Sequence, residues 1–226
     1  QRRQHRGIEA LSGALVALAE GDAKRALDRT DKAARLLNRP ELAALVGAEA
    51  ARRAGIEDKA ERHLKLLAQD RRTQAIGLKG LMDLAAQQGR DDRARRIAER
   101  AFELRPRDPE IISRLFQLQT RAGDWAAARR TLAAEVRAGA LPREVGARRD
   151  AVLALAESRA AAEAGEAEHS RDAALEAHQL SPALAPAAVA AARAMAEEGP
   201  GGVARAEKAL RRSWKLAPHP DVAAAY

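Results

Sequence analysis

Gly21-Asp-Ala-Lys-Arg-Ala26, Gly55-Ile-Glu-Asp-Lys-Ala60, Gly89-Arg-Asp-Asp-Arg-Ala94 and Gly123-Asp-Trp-Ala-Ala-Ala128 set a glycine and an alanine five residues apart, four times, at intervals of 34 residues. Gly165 and Gly199 are again 34 apart; Ser170 takes the alanine's place after the first, and Ala206 after the second if Pro200-Gly201-Gly202 adds two residues. A fixed period of this length marks an array in which each unit is one supersecondary element. The glycine suits a left-handed helix end that bulky residues disfavour. The small residue suits a close approach of two helices, where a larger side chain would cost about 1–3 kcal/mol.

Working outward, the step between Gly123 and Gly165 is 42, and the breaker-rich Gly139-Ala-Leu-Pro142 is the natural place for the extra residues. Pro106, Pro182 and Pro218 follow the second helix of their units, Pro40 comes two positions late, and unit two has Arg72 instead. The pattern predicts first helices at roughly 8–20, 41–54, 73–88, 109–122, 147–164 and 184–198, and second helices at roughly 23–37, 57–68, 91–104, 125–138, 167–180 and 203–216. Asp22, Asp58, Asp91 and Asp124 lie where carboxylates cap exposed amides or favour the helix dipole. Leu64, Leu132 and Leu210, four residues beyond the small position, are expected to cover the adjoining space.

Composition agrees with an all-helical chain: aromatics are 2% of the 226 residues, and strand formers are sparse. The net charge of +8 arises from 40 basic and 32 acidic residues, a mixed surface rather than a polyanion-binding one. The absence of cysteine excludes disulfides, thiolate zinc sites and cysteine nucleophiles. No window reaches the roughly 18 apolar residues of a membrane span, and the most apolar stretch, Ala183 to Ala192, contains Pro186. The chain opens on Gln1-Arg-Arg-Gln-His-Arg-Gly7 without an initiator methionine or a secretory pattern, and it reads as trimmed upstream.

Thirty-four residues, a glycine closing the first helix, a small residue five later and a proline closing the second together resemble the tetratricopeptide repeat. Unit three, Leu78 to Pro106, fits best, while the family's early Trp and Tyr are mostly replaced, as at Ala10, Ala17 and Ala51. A narrower likeness rests on Arg121-Ala-Gly-Asp-Trp125, His178-Gln-Leu-Ser-Pro182 with its following alanine-rich helix, and Trp214 to Tyr226, which look like the HemY-type protein of proteobacteria. That resemblance implies an N-terminal inner-membrane anchor, cytoplasmic repeats and an association with late haem biosynthesis. It supplies no catalytic residues. On it, the basic start Arg2, Arg3, Arg6 follows a membrane segment, as the positive-inside tendency suggests; the alternative is a ragged chain end.

The fold expected is an all-α, right-handed superhelical solenoid of about six tetratricopeptide-type helix hairpins in one continuous domain. It comprises a basic juxtamembrane-like start at 1–7, repeats one to four at 8–138, an inserted linker at 139–146, repeats five and six at 147–218, and the start of a further repeat at 219–226. In such superhelices the first helices line the concave face. Aligning the units on their glycines puts Arg52, Arg53, Lys79, Asp83, Gln87, Gln117, Thr120, Arg121, Arg159 and Arg193 there. These polar residues can hydrogen-bond an extended peptide or clamp a carboxylate, which makes an acidic segment of a protein the expected partner. Ordinary solvated helix residues are the alternative for about half of them.

His5, His63, His169, His178 and His219 include no pair at helical spacing, so no metal or cofactor is expected. Haem ligation, at His169 or His178, is kept as an alternative. Trp125, Trp214, Phe102 and Phe116 read as core between hairpins. The arginine-rich run from Arg90 to Arg107 is interleaved with acids and suggests salt-linked helix faces. No phosphate loop or tuned acid–base pair argues for an enzyme. The expected function is a protein–protein interaction scaffold associated with haem synthesis; the alternatives are an adaptor in another envelope or secretion assembly, or a haem carrier.

Overall fold

The computed structural model describes residues 1–226 and contains thirteen α-helices and no strand. They form two compact units, Gln1–Ile111 and Ile112–Tyr226. The first unit holds α1 (Arg2–Ala19), α2 (Ala23–Leu36), α3 (Pro40–Arg53), α4 (Glu57–Gln69), α5 (Gln74–Gln87) and α6 (Asp91–Leu104), and ends in the first turn of α7 (Pro109–Arg121). The second holds the rest of α7, then α8 (Trp125–Arg137), α9 (Arg143–Glu163), α10 (Ala167–Leu180), α11 (Ala185–Ala196), α12 (Pro200–Leu216) and α13 (Pro220–Ala224).

In the first unit the periodic alanines Ala26, Ala60 and Ala94 are buried, as expected of residues held between facing helices. Ala26 and Ala60 share one cluster with Ala17, Leu27, Ala50 and Ala51, so neighbouring hairpins complete each other's core. The closest approach lies elsewhere. A Cβ placed on Gly77 in α5 would sit 2.4 Å from the backbone nitrogen of Ala68 and 2.7 Å from the carbonyl oxygen of Leu64 in α4. Only the absence of a side chain lets those two helices touch backbone to backbone.

The periodic glycines act by conformation alone. Gly21, Gly55, Gly89, Gly123 and Gly165 have φ between +68° and +85°, and nothing lies within 4 Å of the position a Cβ would take. Each turn closes with the next residue's N–H donating to a carbonyl five residues back: Asp22 to Ala17, Ile56 to Ala51, Arg90 to Ala85, Asp124 to Gln119 and Glu166 to Ala161. At Gly199 the following residue is Pro200, which has no N–H to give. That turn instead adopts φ 93°, ψ −163°, and α12 starts directly at the proline. Of the four expected capping acids, Asp22 and Asp124 accept from the backbone of Arg25 and Ala127. Asp58 and Asp91 lie inside the first turns of α4 and α6, too far along to cap, and serve the helix dipole.

In the second unit Ala128 packs with Leu132 and Leu153, against partly buried Phe116 and Trp125. Ser170, the odd small residue, lies where Ser158 Oγ donates to its carbonyl oxygen at 2.8 Å. Arg129 ties three helices: its guanidinium donates to Asp150 at 2.6 Å, Glu157 at 3.2 Å and Glu176 at 2.8 Å. Val222 of α13 is buried against Ala185, Ala192, Ala206 and Leu210. The inserted linker expected at 139–146 is shorter, because Arg143 already begins α9, which runs for 21 residues against 14 in α5. The basic start is helical from Arg2 and belongs to α1.

Three glycine substitutions separate these roles. Gly77→Ala must push two backbones apart and should cost about 3 kcal/mol; Gly123→Ala strains only a left-handed turn and should cost about 1–2 kcal/mol. Gly201→Ala, in helical backbone with open space around it, should raise the melting midpoint by stiffening the unfolded chain. Thermal and urea melts of the three variants check the ranking, and a Gly77→Ala protein as stable as wild type would contradict the close approach.

Candidate functional site

A first helix that packs on its own partner and on the next hairpin keeps one stripe towards solvent, with positions recurring every three or four residues. In α3 the stripe runs through 42, 45, 49 and 52–53; in α5, through 76, 79, 83 and 86–87. Arg52 and Arg53 lie exposed at the end of α3, and Lys79, Asp83 and Gln87 share the α5 stripe, with Gln87 exposed. In the second unit Gln117, Arg121, Arg159 and Arg193 are exposed on α7, α9 and α11. Thr120 is half-buried and turned back on its own helix, its hydroxyl 3.0 Å from the carbonyl oxygen of Phe116.

The cations of the first unit are paired within the chain. Glu49 receives both Arg52 Nε and Nη2 at 2.8 Å and Arg53 Nε at 2.6 Å. The Arg52 hydrogen bonds, with Arg53 adding to them, hold its carboxyl below the usual carboxylate range despite partial burial. Arg53 also reaches the carbonyl oxygen of Leu18 in α1 at 3.3 Å. Lys79 is ion-paired with Glu110. Glu49 was available to sequence reasoning, three and four residues before its arginines, whereas the Lys79–Glu110 pair joins positions 31 apart and appears only once α5 and the start of α7 are placed.

Sequence reasoning also passed over the aliphatic members of the same stripe. Ile8, Leu42 and Ile76 each stand 13 residues before their periodic glycine, at intervals of 34, and are 52%, 38% and 52% exposed. In the second unit Val152 holds that register before Gly165 and is 50% exposed. The signal was the glycine alignment itself, read for apolar as well as polar residues.

Trp214, expected in the core, is 45% exposed. Together with Leu210, Val222 and Tyr226 it lines a cavity of about 330 Å³. The histidines are scattered. His178 is buried, its Nδ1 has no hydrogen-bond partner, and burial together with the Arg212 charge lowers its pKa. His63 is pushed down by burial against the opposing pull of Asp31, 4.0 Å away. His169 stands 3.2 Å from Glu157, and His219 Nδ1 caps α13 by accepting from the N–H of Asp221. No group of three or more His, Asp and Glu side chains is arranged to hold a metal ion. No helix is long and apolar enough to cross a membrane.

Residues 1–55 match the family model HemY_N, the HemY protein N-terminus. The chain has the fold of a tetratricopeptide-repeat solenoid. Its fold is similar to a tetratricopeptide repeat protein from Parabacteroides merdae, with TM-score 0.57 at 13% identity over 98% of this chain and 84% of that one. A structure described as Naa15/Naa10 bound to HypK-THB gives TM-score 0.59 at 15% identity, covering 97% of this chain and 33% of the other. No curated protein matches.

Acid should weaken the fold in two stages. His63 and His178 sit below their ordinary 6.5, so the neutral form is the folded one and their contribution is lost as pH falls under that value. Glu61, hydrogen-bonded by Arg93 and Lys65, is lowered from 4.5 to about 2, and Glu49 and Glu176 are lowered too, so these contributions are full above 4.5 and fade below it. Melting temperatures taken by circular dichroism should fall modestly below pH 6.5 and more steeply below 4.5, with Glu61→Gln flattening the second stage. A midpoint that climbs between pH 7 and 4 would contradict both signs.

Proposed function

We propose that this chain is the repeat domain of a non-enzymatic scaffold that holds acidic segments of other proteins on the solvent-facing stripes of its first helices. In the full protein those repeats are anchored to the inner membrane and face the cytoplasm, and the proteins they gather belong to late haem biosynthesis. The observation that carries the reading is the division of labour within each hairpin: buried alanines and glycines serve packing, while the first-helix stripe bears polar residues that packing does not need. Those residues are Arg52, Arg53, Lys79, Asp83 and Gln87 in the first unit and Gln117, Thr120, Arg121, Arg159 and Arg193 in the second. The arginines that Glu49 holds in place can receive a partner's carboxylate on their remaining N–H groups.

The match of residues 1–55 to the HemY protein N-terminus supports the haem-pathway and membrane aspects of the reading. Likeness to a fold found in Naa15/Naa10 bound to HypK-THB supports the scaffold aspect. The placement of the histidines favours a scaffold over a haem carrier, since His178 is enclosed and His169 is engaged with Glu157.

Crosslinking the full-length protein in its native membrane and identifying the captured proteins tests this. Enzymes of late haem synthesis should be enriched, and charge reversal of Arg53 and Arg121 should reduce their capture while leaving the melting temperature within a few degrees of wild type. Enrichment of a secretion or envelope assembly, with no haem enzyme among the products, would overturn the pathway.

A further inference from the structure

No charged residue lies between Ala10 and Ala19 of α1, in a chain of which charged residues make up 32%. Burial accounts for only one face of that stretch: Gly7, Ala10, Ala14 and Ala17 are buried, with Ala10 and Ala17 packed on α2. The opposite face runs through Ile8, Ser12, Leu15, Val16 and Ala19, at intervals of three or four residues. Ile8, Leu15 and Val16 are 52%, 51% and 56% exposed. Single exposed aliphatic residues are ordinary, but a solvated helix face normally carries charge along its length.

Charges line one flank of this apolar face in a particular order. Arg2, Glu9 and Glu20 are separated by seven and eleven residues, close to whole turns of helix, and so share one side of α1. Arg29 of α2 reaches that same side, its guanidinium lying over Gly13 with Cζ 3.0 Å from where a Cβ would stand. The flank therefore alternates cation, anion, cation, anion at positions 2, 9, 13 and 20. Positions 2 and 20, like 9 and 13, lie symmetrically about Leu11, and each cation has an anion as its mirror position. Within the chain Glu9 meets His5 at 3.3 Å and Glu20 meets Arg25 at 3.4 Å, both at the surface. Such exposed contacts are weak and leave carboxylate lone pairs open.

We infer that the first unit pairs with a second copy of this chain through α1, the two helices antiparallel about a two-fold axis that passes between them at the level of Leu11 and Ser12. The rotation sets Arg2 beside the second copy's Glu20 and Glu9 beside its Arg29, each pair occurring twice, and lays Ile8 against its Leu15 and Val16. The contact is isologous, so one self-complementary surface suffices. Ser12 and Ala19 are small and let the helices approach closely. A parallel pair would put the two charged flanks on opposite sides, where no cation finds its anion. A lipid surface fits less well, because a helix lying on anionic headgroups carries cations along the edges of its apolar face, and here Glu9 and Glu20 stand on that edge. None of the residues proposed above to hold a partner segment takes part, so this contact can fail while the scaffold reading stands.

Sedimentation equilibrium of the whole chain tests the pairing. One helix per copy makes a small interface, so wild type should pass from monomer to dimer with a Kd of roughly 1–100 µM. Ile8→Ser combined with Leu15→Ser should raise that Kd roughly tenfold or more with unchanged helical circular dichroism. Arg2→Glu alone and Glu20→Arg alone should each raise it roughly fivefold. An equimolar mixture of those two variants, or both changes in one chain, should return it close to wild type. Arg2 and Glu20 of one chain are about five turns of helix apart, so such a rescue has no source within a single molecule. A wild-type chain that stays monomeric, a dimer that tolerates the Ile8 and Leu15 changes, or charge variants that neither the mixture nor the double change restores overturns the inference. So does binding to phosphatidylglycerol vesicles that the Ile8 and Leu15 changes abolish, with no dimer in solution.

Discussion

Everything in this chain follows from how near two helix axes can come when the residues between them have almost no side chain. Ala26, Ala60, Ala94 and Ala128 are buried, and Gly77 permits direct backbone contact between α4 and α5. Such contacts gain dispersion over a wide backbone area but little from any one large apolar group. Stability therefore accumulates by neighbour-to-neighbour contact within each unit, as the shared cluster of the first two hairpins shows. Aromatic residues are not needed at these contacts, which accounts for how few the chain has.

The same economy frees the surfaces. A hairpin that packs through one small-residue seam leaves the opposite stripe of its first helix without structural duty, and that stripe is where Arg52, Asp83, Gln117 and the aliphatic row lie. Residues of that stripe can then change without disturbing the seam, so the packing code and the exposed surface are separable in this sequence.

Most of the fold was legible because backbone conformation and close approach each demand particular residues at particular intervals. The 34-residue glycine spacing located the turns, and most helix ends fell within a few residues of expectation. Legibility failed where a residue's fate depends on something far away in sequence. Trp214 reads as core from its residue type and helix, yet it is exposed beside Tyr226. Asp58 and Asp91 read as caps or dipole partners, and they stand in the first turns of their helices in the second of these roles. On the candidate site, polarity and register select the stripe residues from the sequence, but the pairing of Lys79 with Glu110 requires neighbouring hairpins in place. The aliphatic row was missed for a different reason: apolar residues on a helix are assumed to face inward until a neighbour fails to meet them.

The long α9 carries one more consequence. Its 21 residues against the 14 of α5 add seven, about two full turns of helix, at its leading end. Those turns come ahead of Ala154 and Ala161, which stand eleven and four residues before Gly165 as the buried Leu78 and Ala85 stand before Gly89. The hairpin thus lengthens like a pier extended from fixed pilings: the glycine turn anchors the angular phase, and residues added beyond the far end leave it untouched.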